Sequence, residues 1–142
     1  MTQITRDVLE IARCTAQHRS DKLTPMGLKP CHSSYLTEIC ANPGISQDGL
    51  AKRICINKSN VARQAAILEE EGYITRSPSP SDKRVLELYP TPKALELLPT
   101  LRQMDLCIED YLTQDLTIEE TQLFSDLLQK MKVRCAVYME DR

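Results

Sequence analysis

Apolar side chains recur at every third or fourth position through most of this 142-residue chain, a spacing typical of amphipathic helices. The first apolar stripe covers about residues 5–19. A second lies in the segment CHSSYLTEICANPG, residues 31–44, where Asn-Pro-Gly ends it. Ser46 and Asn57 are residue types that cap helix N-termini, and Gly72 stands where a C-terminal glycine cap belongs. The pattern therefore predicts two further short helices, one beginning near each N-capping residue.

After Gly72 the spacing changes from that of helices to that of strands. The segments YITR, residues 73–76, and VLELY, residues 85–89, are rich in β-branched, aromatic and aliphatic side chains. A polar loop that contains two Ser-Pro pairs joins them. This combination predicts a two-stranded β-hairpin.

Two longer helical stripes complete the chain, at about residues 94–112 and 118–138. The second opens with a predicted capping box formed by Thr117 and Glu120. Pro99 lies inside the first, where a proline removes a backbone hydrogen bond and is expected to kink the helix. The predicted order is four helices, a hairpin and two helices, which makes the fold mainly α.

The composition favours one globular domain over a membrane, secreted or metal-binding protein. Hydrophobic residues make up 42% of the chain and charged residues 27%. No apolar run approaches the ~20 residues that span a bilayer, and the segment MTQITRDVLE lacks a signal-peptide core. We therefore expect a cytoplasmic protein without a membrane partner. Six scattered cysteines and only two histidines predict reduced, mostly buried thiols, no metal site and no cofactor.

The formal net charge of −2 is distributed unevenly along the chain. Residues 1–84 carry twelve Lys and Arg against nine Asp and Glu, whereas residues 85–142 carry six against eleven. Salt screens exposed charges beyond about 8–10 Å, so an acidic C-terminal half can coexist with a basic surface elsewhere. The net charge therefore does not exclude a nucleic-acid partner.

Two short helices joined by a turn and followed by a hairpin describe a winged helix-turn-helix. The run from Ile45 to Pro92 also resembles the MarR-type transcriptional regulators, through the signals LAKR, INKSNV-R, LEEEGYI-R and D-R in that order. The resemblance implies one domain over residues 1–142. Within it, a winged helix DNA-binding region covers about 30–92, and dimerisation helices cover about 1–22 and 93–142. It also implies a non-enzymatic repressor that binds a pseudopalindromic operator in double-stranded DNA as a homodimer.

The helix that begins after Asn57 is the expected recognition helix, because its first residues are short, polar and basic, and that end enters the major groove. Val61, Ala65 and Leu68 supply its packing stripe. Relatives usually carry an aliphatic residue in place of Gln64, so whether Gln64 contacts bases or lies half-buried is open. The predicted DNA contacts of the two helices are Ser46, Gln47, Asn57, Lys58, Ser59, Asn60, Arg63 and Gln64.

The loop within RSPSPSDKRV, residues 76–85, is the expected wing. Its prolines fix φ, so less entropy is lost when the loop docks on DNA. Arg84 resembles the wing arginine of the family, which enters a narrow minor groove. Asp82 is expected to hold Arg84 through a charge-assisted hydrogen bond, which matches the D-x-R pattern of the family. Lys83 and Arg76 are expected to contact the DNA backbone.

Two other functions remain open at this point. A winged helix can serve as a protein-interaction module that does not bind DNA. The segment Pro30-Cys31-His32 matches part of the reactive cysteine motif of DNA alkyltransferases, and a Cys-His pair can activate a thiolate. However, Ser33 and Ser34 depart from that motif, and the segment precedes the helix-turn-helix instead of following it.

Two triggers for release from DNA are also open. Some MarR relatives sense peroxide with a thiol in the first helix, where Cys14 lies here, although a buried core cysteine is the expected role. The other trigger that the resemblance implies is a small aromatic acid, bound between the dimerisation helices and the winged region. Two inward-facing stripes should meet there, and plain core is the alternative. The expected pocket walls are Tyr35, Ile39, Leu98 and Leu101.

Overall fold

The structure, a computed structural model, describes residues 1–141. The helices are α1 (Gln3–Leu23), α2 (His32–Ala41), α3 (Gln47–Arg53), α4 (Lys58–Glu70), α5 (Pro92–Leu112) and α6 (Ile118–Glu140). The strands are β1 (Ile45–Ser46), β2 (Ile74–Pro78) and β3 (Leu86–Pro90), and a short 3₁₀ turn, Thr24–Met26, follows α1. The mainly α fold and the order of elements predicted from the sequence are confirmed.

The wing belongs to a three-stranded antiparallel sheet in the order β1, β3, β2. Strands β2 and β3 form the predicted hairpin, in which Arg76 lies opposite Leu88. Strand β1 was not predicted, because two residues are too few to show an alternating pattern. It pairs Ile45 with Leu88 and Ser46 with Glu87, and it therefore joins the start of α3 to the wing.

The two short helices begin at the predicted capping residues. The Ser46 hydroxyl oxygen accepts a hydrogen bond from the Gly49 backbone N–H at 2.9 Å, and Asn57 Oδ1 accepts one from the Asn60 N–H at 2.8 Å. Each bond satisfies an N–H group that has no partner within its helix. After α4, Gly72 adopts a left-handed conformation with a φ of 81°, which confirms the predicted glycine cap.

The long helices agree with the predicted order but differ in extent. Helix α1 extends beyond the predicted 5–19 at both ends. The capping box of α6 is present, since Thr117 Oγ1 accepts from the Glu120 N–H at 3.1 Å and the Thr117 N–H donates to Glu120 Oε1 at 2.9 Å. Helix α5 continues as one α-helix on both sides of Pro99. A proline removes only one N–H, so helical hydrogen bonding can resume around it.

The hydrophobic core lies in the winged region, between α2, α3, α4, the sheet and the first half of α5. Of the residues that the structure describes, α6 contributes none to the buried set and α1 contributes only Leu23. These helices and the outer part of α5 instead expose many large apolar side chains. The exposed apolar residues include Ile4, Val8, Ile11, Leu106, Tyr111, Leu123, Phe124, Leu127, Met131 and Val137.

Two polar contacts hold the end of α1 against α5. His18 Nε2 lies 3.2 Å from the Met104 carbonyl oxygen, and Arg19 Nε donates to Asp105 Oδ1 at 3.4 Å. At the other end of the molecule, the last turns of α6 approach α3, where Ala136 lines a cavity beside the helix-turn-helix. The terminal helices are thus attached to the winged region at their ends, while their apolar faces remain uncovered within one subunit.

Candidate nucleic-acid interface

Helix α4 has one buried apolar face and one polar face. Val61, Ala65 and Leu68 have no exposed surface, and their spacing of four and then three residues places them on one side of the helix. Ser59 and Arg63 lie on the opposite side of the helix. Of the residues in α4 and at its N-cap that are predicted to contact DNA, Asn57, Lys58, Ser59 and Arg63 are exposed, and Asn60 and Gln64 are half-buried.

Lys58 begins the recognition helix and forms an ion pair with α3. Its ammonium nitrogen lies 3.4 Å from Asp48 Oδ2, and the two side chains are 69% and 65% exposed. Exposed pairs of this kind contribute only about 0–1 kcal/mol, so a DNA phosphate can replace Asp48 at little cost. The pairing of Asp48 with Lys58 was not predicted from the sequence. An acidic residue in the first turn of a helix such as α3 is already explained by its favourable interaction with the helix N-terminus.

The wing loop is closed by hydrogen bonds at its base and carries Arg84 at its edge. The Ser79 N–H donates to the Val85 carbonyl oxygen at 2.7 Å. Arg84 Nε and Nη2 donate to Asp82 Oδ1 and Oδ2 at 3.1 and 3.2 Å, and the Arg84 backbone N–H donates to Asp82 Oδ1 at 3.0 Å. The predicted bond between these two residues is therefore present and is bidentate, the geometry that best suits a guanidinium and a carboxylate.

The wing arginine remains available to a ligand despite this bond. The Arg84 side chain is 91% exposed, and the adjacent Lys83 is exposed as well. The side-chain and backbone hydrogen bonds from Arg84 lower the pKa of the Asp82 carboxyl, so Asp82 stays ionised. An ionised Asp82 restricts the rotamers of Arg84 without covering it.

Arg76 differs from the other predicted contacts because its side chain faces the protein. Its guanidinium donates to Glu69 at the end of α4 and to Gln47 at the start of α3. The contact of Arg76 with the DNA backbone stays a prediction, and in the free protein these bonds hold the guanidinium against α3 and α4. Glu69 was missed from the sequence, since its partner lies seven residues away across a turn and no helix spacing joins the two.

Gln64 faces inward and forms a hydrogen bond with a buried histidine. The His32 Nδ1 atom accepts from the Lys29 backbone N–H at 3.0 Å, so the proton of the neutral ring resides on Nε2. Nε2 then donates to Gln64 Oε1 at 2.8 Å. Of the two placements left open by the sequence, the structure shows the half-buried one. His32 had been considered only as part of the Cys31 motif, and its link between α2 and α4 was missed.

The residues predicted to line an effector pocket are mostly core residues. Tyr35, Ile39 and Leu101 have almost no exposed surface and belong to the main hydrophobic cluster. Burial raises the pKa of Tyr35 to about 12, so its hydroxyl stays neutral. Leu98 alone borders a small depression, of about 150 Å³, between α2 and α5. The two inward stripes do meet, but they pack directly against each other.

A larger cavity lies between the helix-turn-helix and the C-terminal end of α6. Its volume is about 680 Å³, comparable to small-molecule sites. Apolar side chains of α3 and its following turn face those of α6 across it, and polar residues of the α4 N-terminus border it. The lining residues are Ala51, Lys52, Ile56, Asn57, Lys58, Ser59, Ala136, Met139 and Glu140.

The expectation of mostly buried thiols is wrong. Cys14, Cys31, Cys107 and Cys135 are exposed, and all six cysteines are free. Three of the four lie on α1, α5 and α6, the helices that contribute few residues to the core of one subunit. Within one subunit, Cys14 is therefore not a core cysteine. Although the Cys31 residue is exposed, neighbouring atoms partly shield its thiol from water, and this desolvation raises the pKa of Cys31, which is the opposite of what thiolate chemistry requires.

Two further classes of site were searched for within residues 1–141. No helix in this part of the chain is both long and apolar enough to cross a membrane. The same residues contain no group of three or more His, Cys, Asp or Glu side chains placed to hold a metal ion.

Proteins similar to this chain in sequence and in structure include transcriptional regulators. The sequence model of the MarR family matches residues 31–86. The uncharacterized HTH-type transcriptional regulator YybA of Bacillus subtilis (strain 168) is 30% identical over 132 residues, covering 93% of this chain and 88% of YybA. The structure is similar to that of the transcriptional regulator SlyA, with 27% identity and a TM-score of 0.92 over 98% of both chains. A MarR family regulator from Listeria monocytogenes complexed with 26mer DNA is 27% identical, with a TM-score of 0.90 over 98% of this chain and 93% of that one.

The buried His32 predicts that acid destabilises the protein. Burial lowers the pKa of His32 below 6.5, and Lys29 lowers it further, whereas the bond to Gln64 and the charge of Glu71 act in the opposite direction. A neutral ring therefore contributes stability above about pH 6.5, and this contribution is lost as the pH falls through the lowered pKa.

We expect the free energy of unfolding in urea to decrease between about pH 7 and about pH 5 in the wild type. The decrease should be smaller in His32→Gln, which cannot take up a proton at this position. Equal decreases in the two proteins would show that His32 is not the group responsible.

Proposed function

This chain belongs to the MarR family of transcriptional regulators, and we propose that it represses transcription by binding a pseudopalindromic operator in duplex DNA as a homodimer. Its relatives are regulators and not enzymes, so the chain is a transcriptional regulator. The alkyltransferase alternative at Cys31 accordingly does not apply. We propose that the protein acts in the cytoplasm.

The proposed mode of binding depends on one observation. Helix α4 and the wing each have one face buried in the core and another exposed to solvent. Helix α4 exposes Arg63 opposite its packing stripe and Lys58 at its first turn, and the wing exposes Arg84 while Leu88 anchors the sheet in the core. The major groove of B-DNA is wide enough to admit an α-helix such as α4. Arginine is suited to a narrow minor groove, where the negative potential is strongest. Recognition by α4 and insertion of the wing are thus the roles we propose for the two elements.

The distribution of charge supports binding despite the acidic total. The exposed cations of the proposed surface are Lys58, Arg63, Lys83 and Arg84, all in the first 84 residues. Most of the excess acid lies in α5 and α6, outside the winged region. Exposed charges beyond about 8–10 Å are largely screened at physiological salt, so the local cations dominate at the DNA surface.

The uncovered apolar faces of α1, α5 and α6 support a homodimer. A lone subunit exposes Leu127 and Phe124 on α6 and Val8 on α1, and contiguous apolar surface of this kind marks association sites. A second copy supplies matching faces, and two-fold symmetry doubles the contacts with a pseudopalindromic site. We propose that these helices set the separation of the two α4 helices, which must match half-sites about 10 bp apart.

Release by a small ligand is the regulatory part of the proposal. The cavity of about 680 Å³ lies between a dimerisation helix and the helix-turn-helix, where a bound molecule can bias the separation of the recognition helices. Its apolar walls suit an aromatic ligand, and the two lysines of the lining, Lys52 and Lys58, outnumber its one carboxylate, Glu140, which favours an acid. Oxidation of the exposed Cys14 on α1 is the second proposed trigger, since access is one requirement for thiol oxidation.

Loss of the wing arginine tests the DNA-binding surface. Arg84→Ala should weaken binding to DNA from the upstream intergenic region by about 1–3 kcal/mol per half-site, because one specific groove contact is removed. Lys58→Ala should weaken binding more uniformly across sequences and give a shallower salt dependence, because it removes a phosphate contact. Fluorescence anisotropy at several salt concentrations measures both effects.

Lys83→Ala is the matched control, since Lys83 is adjacent to Arg84, carries the same charge and lacks the bond to Asp82. It should change the salt slope and leave the preference for the operator sequence intact. Binding without salt dependence, or no binding at all, would favour a protein-interaction module instead.

The dimer is tested by light scattering. At micromolar concentration the wild type should have twice the chain mass of 16.1 kDa. Leu127→Glu, which places a charge on the α6 face where Leu127 is 47% exposed, should give a monomer. Met26→Glu is the control, because Met26 is 41% exposed but lies on the 3₁₀ turn outside those helices. A wild-type monomer, or a dimer unaffected by Leu127→Glu, would contradict the assignment.

A further inference from the structure

Arg76 lies in β2, and its guanidinium contacts two other elements. Nε and Nη2 donate to Glu69 Oε1 of α4 at 3.3 and 3.2 Å, and Nη1 donates to Gln47 Oε1 of α3 at 3.3 Å. The Arg76 backbone N–H donates to the other carboxylate oxygen, Glu69 Oε2, at 3.0 Å. A single side chain therefore joins the wing, the end of the recognition helix and the start of α3.

These bonds limit what Arg76 itself can do for DNA. Its side chain is 23% exposed, and its charge is offset by the Glu69 carboxylate. A phosphate would have to displace this ion pair, a cost that the exposed Lys83 does not incur. Arg76 should therefore release few counterions when DNA binds, and counterion release is the source of the salt dependence.

The chemistry of the guanidinium fixes the orientation of Gln47. Arginine has donors and no acceptor, so the Gln47 amide must turn its oxygen toward Arg76. The amide is planar, and its NH₂ group consequently points away from Arg76 with two donors to offer. Gln47 is the first residue of α3, the first helix of the helix-turn-helix, and that helix crosses the DNA backbone in this motif. Glutamine amides are among the side chains that donate to phosphate oxygens.

We propose that Arg76 is a positioning residue that directs the Gln47 amide toward a DNA phosphate and holds the wing against the helix-turn-helix. Arg76 does not itself bind phosphate in this arrangement. The inference rests on the proposed function, because it concerns the DNA-bound state, and it replaces the expectation that Arg76 contacts the backbone directly.

Glu69→Gln separates the two roles by the sign of its effect. The substitution removes a negative charge near the DNA-binding surface and nearly preserves the side-chain volume. If Arg76 bound phosphate, weakening its ion pair would raise the affinity for DNA. If Arg76 positions Gln47, the looser guanidinium should lower the affinity roughly three- to tenfold, the range for one hydrogen bond. A rise in affinity would overturn the proposal.

A double-mutant cycle between Arg76 and Gln47 gives an independent readout. On upstream intergenic DNA, Arg76→Ala and Gln47→Ala should each weaken binding, and the double variant should be no more than about twofold weaker than the weaker single variant. Arg76→Ala should also leave the salt slope unchanged. Independent losses that multiply, together with a slope shallower by about 0.9 per subunit, would identify Arg76 as a phosphate contact and overturn the proposal.

Arg76→Lys protects the test against effects of folding or of charge alone. Lysine keeps the charge, but one ammonium cannot reproduce the fork that joins Glu69 to Gln47. This variant should fold, as judged by its urea midpoint, and should bind DNA as weakly as Arg76→Ala. Wild-type affinity in Arg76→Lys would show that charge alone is sufficient and would overturn the inference.

The outcome for the wild type distinguishes failure of the inference from failure of the proposed function. Wild-type protein that does not bind the upstream DNA would overturn the proposed function, and the inference with it. Wild-type binding accompanied by a multiplicative cycle would overturn the inference alone. Lys83→Ala, which removes an exposed ammonium, should give the shallower salt slope and show that the assay detects the loss of a phosphate contact.

Discussion

Burial of Val61, Ala65 and Leu68 in the core sets the rotation of α4 about its axis, and the DNA-binding surface depends on that rotation. With 3.6 residues per turn, a helix held by these three positions must direct Ser59 and Arg63 outward. Truncation of a buried leucine costs about 2–5 kcal/mol, whereas an exposed ion pair contributes about 0–1 kcal/mol. The core therefore determines the geometry of the interface, and surface charges can change partners when DNA arrives.

Features that depend on near neighbours in the chain were predicted correctly from the sequence. The caps at Ser46 and Asn57 and the capping box at Thr117 each join residues three positions apart. The Asp82–Arg84 bond spans only two positions and belongs to a pattern shared with the family. Short-range geometry of this kind follows from residue type and spacing, because residues two or three positions apart can form such bonds in only a few backbone conformations.

Features that depend on distant residues were missed or left open. Gln47 and Arg76 are 29 positions apart, and His32 and Gln64 are 32 apart, so neither pair has a local signal. Arg76 was consequently assigned from residue type alone as a cation that contacts the DNA backbone. For Gln64, the sequence left open whether the side chain contacts bases or lies half-buried. The expected pocket walls are mostly core residues in one subunit, for a related reason. Periodicity identifies inward-facing residues such as Ile39, but it does not tell whether two inward faces pack together or enclose a space.

The same core that orients α4 includes Leu23 alone from α1, extends along α5 only to Met104 and includes no described residue of α6, which leaves the terminal helices with uncovered apolar faces in one subunit. In the proposed homodimer, DNA binding and assembly are linked, since the helices that pair with the second subunit also determine where the second α4 lies. Hydroxyl-radical footprinting on the upstream DNA tests this arrangement most directly. Two symmetric sets of protections with centres about 10 bp apart are expected, each with a flanking minor-groove protection from the wing. A single unpaired protection, or a footprint without the flanking minor-groove component, would contradict it.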